Sequence, residues 1–157
     1  MANLSGAPLI FHGNTTSTDS TAQVPVGTRA KDTSSNEWIY LLGTASTAVG
    51  TWVTYNVGSS TSALLTAGAV GPVAIAGTST TAGLYGWYMV AGMFSNASTD
   101  TTAADKPLYI DGTDGRADDA FVAADRIHNA VSQAADTANS CKVFIQYPYV
   151  AGTANGI

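Results

Sequence analysis

Charge is scarce in this chain. Lys, Arg, Asp and Glu make up 11% of its 157 residues, against about 25% in typical soluble proteins. The six Lys and Arg are spread thinly from Arg29 to Lys142, and the formal net charge is −5. Without a basic patch to follow a phosphate backbone, the charge argues against a nucleic-acid footprint. Cysteine is nearly absent too, and the lone Cys141 rules out an intrachain disulfide framework. It precedes the apolar run Val143-Phe144-Ile145 and reads as a buried thiol, since nothing beside it would depress its pKa. No segment approaches the roughly 20 apolar residues of a membrane span. The opening MANLSGAPLIFHGN lacks the charged n-region of a secretory signal, so the expectation is no membrane and synthesis in the cytoplasm. The Asn-x-Ser/Thr sequons at Asn3, Asn14 and Asn96 are then chance products of a Ser/Thr-rich chain.

Catalytic vocabulary is equally thin. There are two histidines, His12 and His128, and one glutamate, Glu37. His-x-His, Cys-x-x-Cys, Gly-x-Ser-x-Gly and the phosphate-binding Gly-x-x-x-x-Gly-Lys-Ser/Thr are all missing. His128 with Asp125 is the nearest thing to a catalytic pair, and a satisfied or exposed histidine is the plainer reading. Asp111, Asp114, Asp118 and Asp119 put four carboxylates within nine residues, as a hard cation would want. The spacing fails the EF-hand pattern, and Asp-Gly turns account for it. The expectation is therefore a protein that is no enzyme, with no catalytic residue, no cofactor and no metal.

What is present reads as strands. Mean hydropathy is +0.11, and Ala, Gly, Ser and Thr dominate. Such a neutral surface suits a protein packed against copies of itself or a larger assembly. From Val24 to Tyr55, aromatic and β-branched runs alternate with Gly and Ser/Thr clusters, which predicts a meander of short antiparallel strands at 37–42 and 51–55. Trp38, Tyr40 and Leu42 would line one face, yet Ile39 and Leu41 on the other are apolar as well. That strand should be covered on both sides, as in a barrel wall under a partner subunit. Further strands are expected at 72–76, 84–94, 106–110 and 141–147, with 95–104 a polar loop and 57–71 a short strand or a loop. Pro148 and the tail should end the sheet.

Two stretches leave alternatives open. Residues 1–23 read as an extended arm or a disordered terminus, with Leu9-Ile10-Phe11 as the part an arm would bury against a neighbour. Phe121, Ala124, Ile127, Val131 and Ala134 recur at helical spacing, so one short helix near 120–135 competes with a hairpin of 126–133 and the last strand. The expected organisation is an arm over 1–23, an all-β domain over 24–150 forming a compact antiparallel barrel or sandwich, and a tail over 151–157.

A family resemblance rests on Val24-Pro25-Val26-Gly27-Thr28-Arg29-Ala30, Glu37-Trp38-Ile39-Tyr40, Gly50-Thr51-Trp52-Val53-Thr54-Tyr55, Gly86-Trp87, Leu108-Tyr109, the stretch 115–125 and Val143-Phe144-Ile145-Gln146-Tyr147-Pro148-Tyr149-Val150. In this order the chain resembles the head-decoration and minor capsid structural proteins of tailed bacteriophages. The likeness runs over roughly 24–150, with Gly-Thr-Arg-Ala and Pro-Tyr-Val its sharper pieces. It implies that the closing segments pair as strands, which favours the hairpin. It also implies a virion protein on the capsid surface, made in the host cytoplasm. That protein would cement the outer surface of a phage head, with the major capsid protein and its own copies, as a homotrimer, for partners. Two other classes stay open. A glycan- or host-surface-binding module would use exposed members of Trp38, Trp52, Tyr85, Trp87 and Tyr88. A tail or connector component would form rings or tubes.

Overall fold

The computed structural model describes residues 17–44 and 46–152. They form ten strands: β1 (Arg29–Lys31), β2 (Glu37–Gly43), β3 (Trp52–Tyr55), β4 (Thr61–Leu64), β5 (Val70–Ala76), β6 (Tyr85–Asp100), β7 (Pro107–Ile110), β8 (Ala117–Asp118), β9 (Arg126–Ser132) and β10 (Ser140–Ala151). No helix occurs among the described residues. Leu9, Ile10 and Phe11 lie outside them. The segment just before the expected domain is tied down, because Asp19 makes an antiparallel bridge with Tyr85. Its carboxylate also accepts a hydrogen bond from the Tyr40 hydroxyl at 2.6 Å.

The pairings close two rings. β2, β4, β3, β5 and β6 form the first, sealed by the pairing of β6 with β2. β6, β8, β7, β9 and β10 form the second, sealed by β10 with β6. Strand β6 belongs to both, and closure removes most of the unpaired edge that open sheets expose. Inside the first ring lie Ile39, Leu41, Val53, Tyr55, Ala74, Ala76, Tyr88 and Val90. The larger core fills the second ring and continues onto the outer side of the first, joining Phe94, Leu108, Ile127, Val143 and Ile145 to Trp38, Trp52, Ile75 and Met89.

The rings are two versions of one five-strand unit, 55 or 56 residues apart. The first ring pairs its first and third strands in parallel, Leu42 with Thr61, and so does the second, Thr99 with Ala117. Every other pairing within either ring is antiparallel. Interior positions correspond one by one: Ile39 with Phe94, Leu41 with Ala97, Val53 with Leu108, Tyr55 with Ile110, Tyr88 with Val143, Val90 with Ile145, all buried. Loop hydrogen bonds repeat as well. Gly50 N donates to Ala76 O at 2.8 Å and Asp105 N to Ser132 O at 3.0 Å; Asn56 N donates to Thr61 O at 2.9 Å and Asp111 N to Arg116 O at 3.2 Å. So do left-handed backbone positions, Ser60 (φ 54°) with Gly115 (φ 80°) and Gly68 (φ 73°) with Ala124 (φ 73°).

Gly92 lets β6 pass from one ring to the other. Its φ is +124°, and a Cβ there would lie 2.1 Å from Asn36 Oδ1, the oxygen that accepts the Met93 N–H at 3.1 Å. The corresponding residue of β10 is Tyr147, also left-handed at φ 50°.

Of the two readings of 120–135 the favoured hairpin is present and the helix is not: Arg126–Ser132 is strand β9, joined to β10. A bulge interrupts β9: Pro107 pairs with Val131 but Leu108 with Ile127, and Asn129 stands at φ 60°. The helical spacing marks no single face, because Ile127 is buried inside the ring while Val131 is half-buried on its outer side. Other expectations need correction. β2 and β3 are not meander neighbours, since β4 lies between them. Residues 95–100 continue β6 rather than looping. Pro148 does not end the sheet: β10 runs through it to Ala151, and Tyr149–Ala151 pair with β5. Strand β2 is covered on both faces, as expected, but the cover is the second ring of the same chain.

Candidate functional site

The repeat exposes a difference between the rings. Trp38, Met89, Ile75 and Trp52 form one row across neighbouring strands on the outer side of the first ring, and all four are buried. The same row of the second ring is Met93, Phe144, Val131 and Pro107. These residues remain apolar, yet Met93 is 39% and Phe144 40% exposed; Pro107 is exposed and Val131 half-buried. Leu65, buried beside the first row, corresponds to Phe121, which is 78% exposed and meets the Tyr109 ring edge-on at 5.5 Å. Lys106 and Lys142, both exposed, flank the bare row in sequence.

The cover over the first ring shows how such a row is closed. Gly115 O accepts from Trp52 N at 2.9 Å, and Gly115 N donates to Leu65 O at 2.8 Å. Trp52 Nε1 donates to Ser98 O at 3.0 Å, and Trp38 packs on Phe94 with centroids 6.3 Å apart. Buried polar ends are satisfied and apolar bodies interlock, as in any protein interior.

The residues singled out from sequence are placed as follows. Trp38, Trp52 and Trp87 are buried at 6, 0 and 5%, and Tyr88 at 0%. Tyr85 is half-buried and stacked on Tyr40 at 6.0 Å. That aromatic set is core, which counts against its use on a glycan. Three of the four carboxylates of the 111–119 stretch serve turns and neighbours. Asp111 Oδ1 accepts from Gly112 N at 2.7 Å, Asp118 Oδ1 from Ala120 N at 3.2 Å and Asp119 Oδ2 from Ala103 N at 2.9 Å. Burial, then the Asp111 charge, pushes the Asp118 carboxyl up. Among the described residues no group of three or more His, Cys, Asp and Glu is placed to hold a metal. His128 is stacked on Tyr149 at 4.6 Å, while Asp125 accepts from Gly68 N at 2.8 Å. Cys141 is buried, as expected, and burial pushes its thiol up.

An open, hydroxyl-lined hollow of about 270 Å³ lies against the first ring, between Thr54, Tyr55, Asn56, Thr61, Ser62 and Val70. It holds neither a charged side chain nor a nucleophile–base pair. Sequence reasoning missed the bare row entirely. The recurrence of apolar positions after 55 or 56 residues could have found it. Comparison of the chain with family models, with curated proteins and with solved structures found no match in any of the three.

Proposed function

We propose that this chain is a virion structural protein that decorates and cements a phage head, binding the outer surface of the shell through the major capsid protein and through its own copies as a homotrimer. The observation that carries the reading is the apolar row of the second ring left bare in a chain so poor in charge. A molecule of two closed rings joined by a shared strand resists deformation, and a bare apolar face invites cover by an assembly. The family resemblance over 24–150 supports the same role. The mechanism is mechanical: many weak contacts repeated around symmetric seats add avidity, and the surface they bury opposes the outward pressure of packaged DNA. Particles depleted of the protein should assemble but burst at lower temperature or on chelation. Depleted particles as robust as complete ones overturn the cementing role.

A further inference from the structure

We infer that the outer face of the second ring, centred on Met93 and Phe144, is the contact surface for a second copy of this chain. The inference rests on the assembly reading above and names the surface and its occupant. Its first support is equivalence, through the repeat, with a face that is covered within the chain. In the first ring the equivalent row, Trp38, Met89, Ile75 and Trp52, is sealed by the protein's own second ring. The cover is made mainly of this chain's apolar side chains and backbone groups, with the Asp32 carboxylate on Trp38 Nε1 at one end of the row. The second ring keeps apolar residues at the corresponding places, and among the described residues none buries Met93, Phe144 or Pro107. Where the outward position need not be covered, the repeat has turned polar: Trp87 corresponds to Lys142 and Tyr40 to Ser95. Apolar identity at Met93, Phe144, Val131 and Pro107 is thus selective along the row.

The second support is charge. Lys106 and Lys142 are two of only six cations in a chain with eleven carboxylates, and both are exposed. A face with an uncharged centre, bordered by two exposed cations and the one exposed carboxylate of Asp105, is less acidic than the chain as a whole and fits an acidic partner, and another copy, at net charge −5, is one. Contact between this face and a different, acid-rich surface of the next copy is heterologous, and such contacts close into rings when the rotation allows. A trimer is one such ring.

The test is the mass of the purified full chain by light scattering over a range of concentrations, for wild type and for M93S/F144S. Both substituted side chains are partly exposed and outside the ring interiors, so the variant should keep the wild-type melting curve and buried-tryptophan emission. Val57→Ser, a change at an exposed apolar residue of the first ring, serves as control. Expected are a wild type and control at an integral multiple of 16.0 kDa and a folded double variant at the mass of one chain. A wild type that stays a single chain overturns the inference, and so does a double variant that keeps the wild-type mass. If the double variant fails to fold, Lys142→Glu is read instead: loss of mass supports the surface and an unchanged mass overturns it. Sedimentation with empty shells separates the two readings. A multimer that ignores shells sinks decoration alone, and a single chain that binds shells sinks this surface alone.

Discussion

Met89 and Phe144 occupy the same place in two copies of one five-strand ring, and among the described residues only Met89 is covered. Met89 pairs with Trp38 on one side and Ile75 on the other; Phe144 pairs with Met93 and Val131. The first row is the floor of the main core, and the second is surface. On the proposed assembly, stability and self-association belong to corresponding residues of the two rings, and substitutions at them should separate the two properties.

Trp52 is fully buried and ties the rings together through its indole N–H and Ser98 O. Trp52→Ala should cost about 3–5 kcal/mol in denaturant unfolding, with both rings lost in one transition. Trp52→Phe, which keeps most of the bulk but orphans the carbonyl, should cost about 1–3 kcal/mol. Two separated transitions in either variant would contradict the shared core.

Gly92 should tolerate no side chain. Gly92→Ala places a Cβ against Asn36 and forces an unfavourable φ, so a loss of about 2 kcal/mol or more is expected in equilibrium unfolding. A variant as stable as wild type would mean that β6 crosses between the rings some other way.

How much of this was legible beforehand follows from what a local pattern can record. The strands at 37–42, 51–55 and 141–147 announced themselves because aromatic and β-branched residues stand between Gly and Ser/Thr clusters. The hairpin of β9 and β10 was legible only against a competing helix, because the bulge at Asn129 broke the two-residue period. The crossing of β6 at Gly92 and its continuation through Ser95-Asn96 were hidden, since one face of that stretch is solvated and polar. The duplication escaped because its two copies share burial and backbone conformation more than identity: Tyr88-Met89-Val90 answers to Val143-Phe144-Ile145. The bare row could not be seen before the duplication was.

Asp32 gives an acid signature. Burial alone would raise its carboxyl, but hydrogen bonds from Trp38 Nε1, the Asn36 side chain, and the Asn36 and Ser34 backbone N–H groups outweigh burial and hold it below its ordinary 3.8. A depressed folded pKa contributes stability that is fully present above the unfolded value and is lost as pH falls through the folded one. Wild type should therefore lose stability below about pH 3.8 more steeply than Asp32→Asn. Parallel curves for the two proteins between pH 5 and 2 would refute this.

Tyr40 gives the alkaline counterpart. Burial, then the hydrogen bond to Asp19, raises its phenol from 10.0 to about 12. A raised folded pKa contributes stability that is present below the unfolded value and lost as pH climbs through the folded one. Tyr40→Phe should show a shallower loss between pH 10 and 12. It should also free the segment around Asp19, read as faster amide exchange there. Unchanged exchange would show that the bridge to Tyr85 holds the segment unaided.

The most direct test of the central claim is sedimentation of the full chain with empty capsid shells, with bound protein measured against added protein. The account predicts saturation at a fixed number of copies per shell, proportional to the number of symmetric seats, and a rise in the temperature at which the shells burst. A chain that remains in the supernatant at every concentration, or binds without saturating, contradicts it.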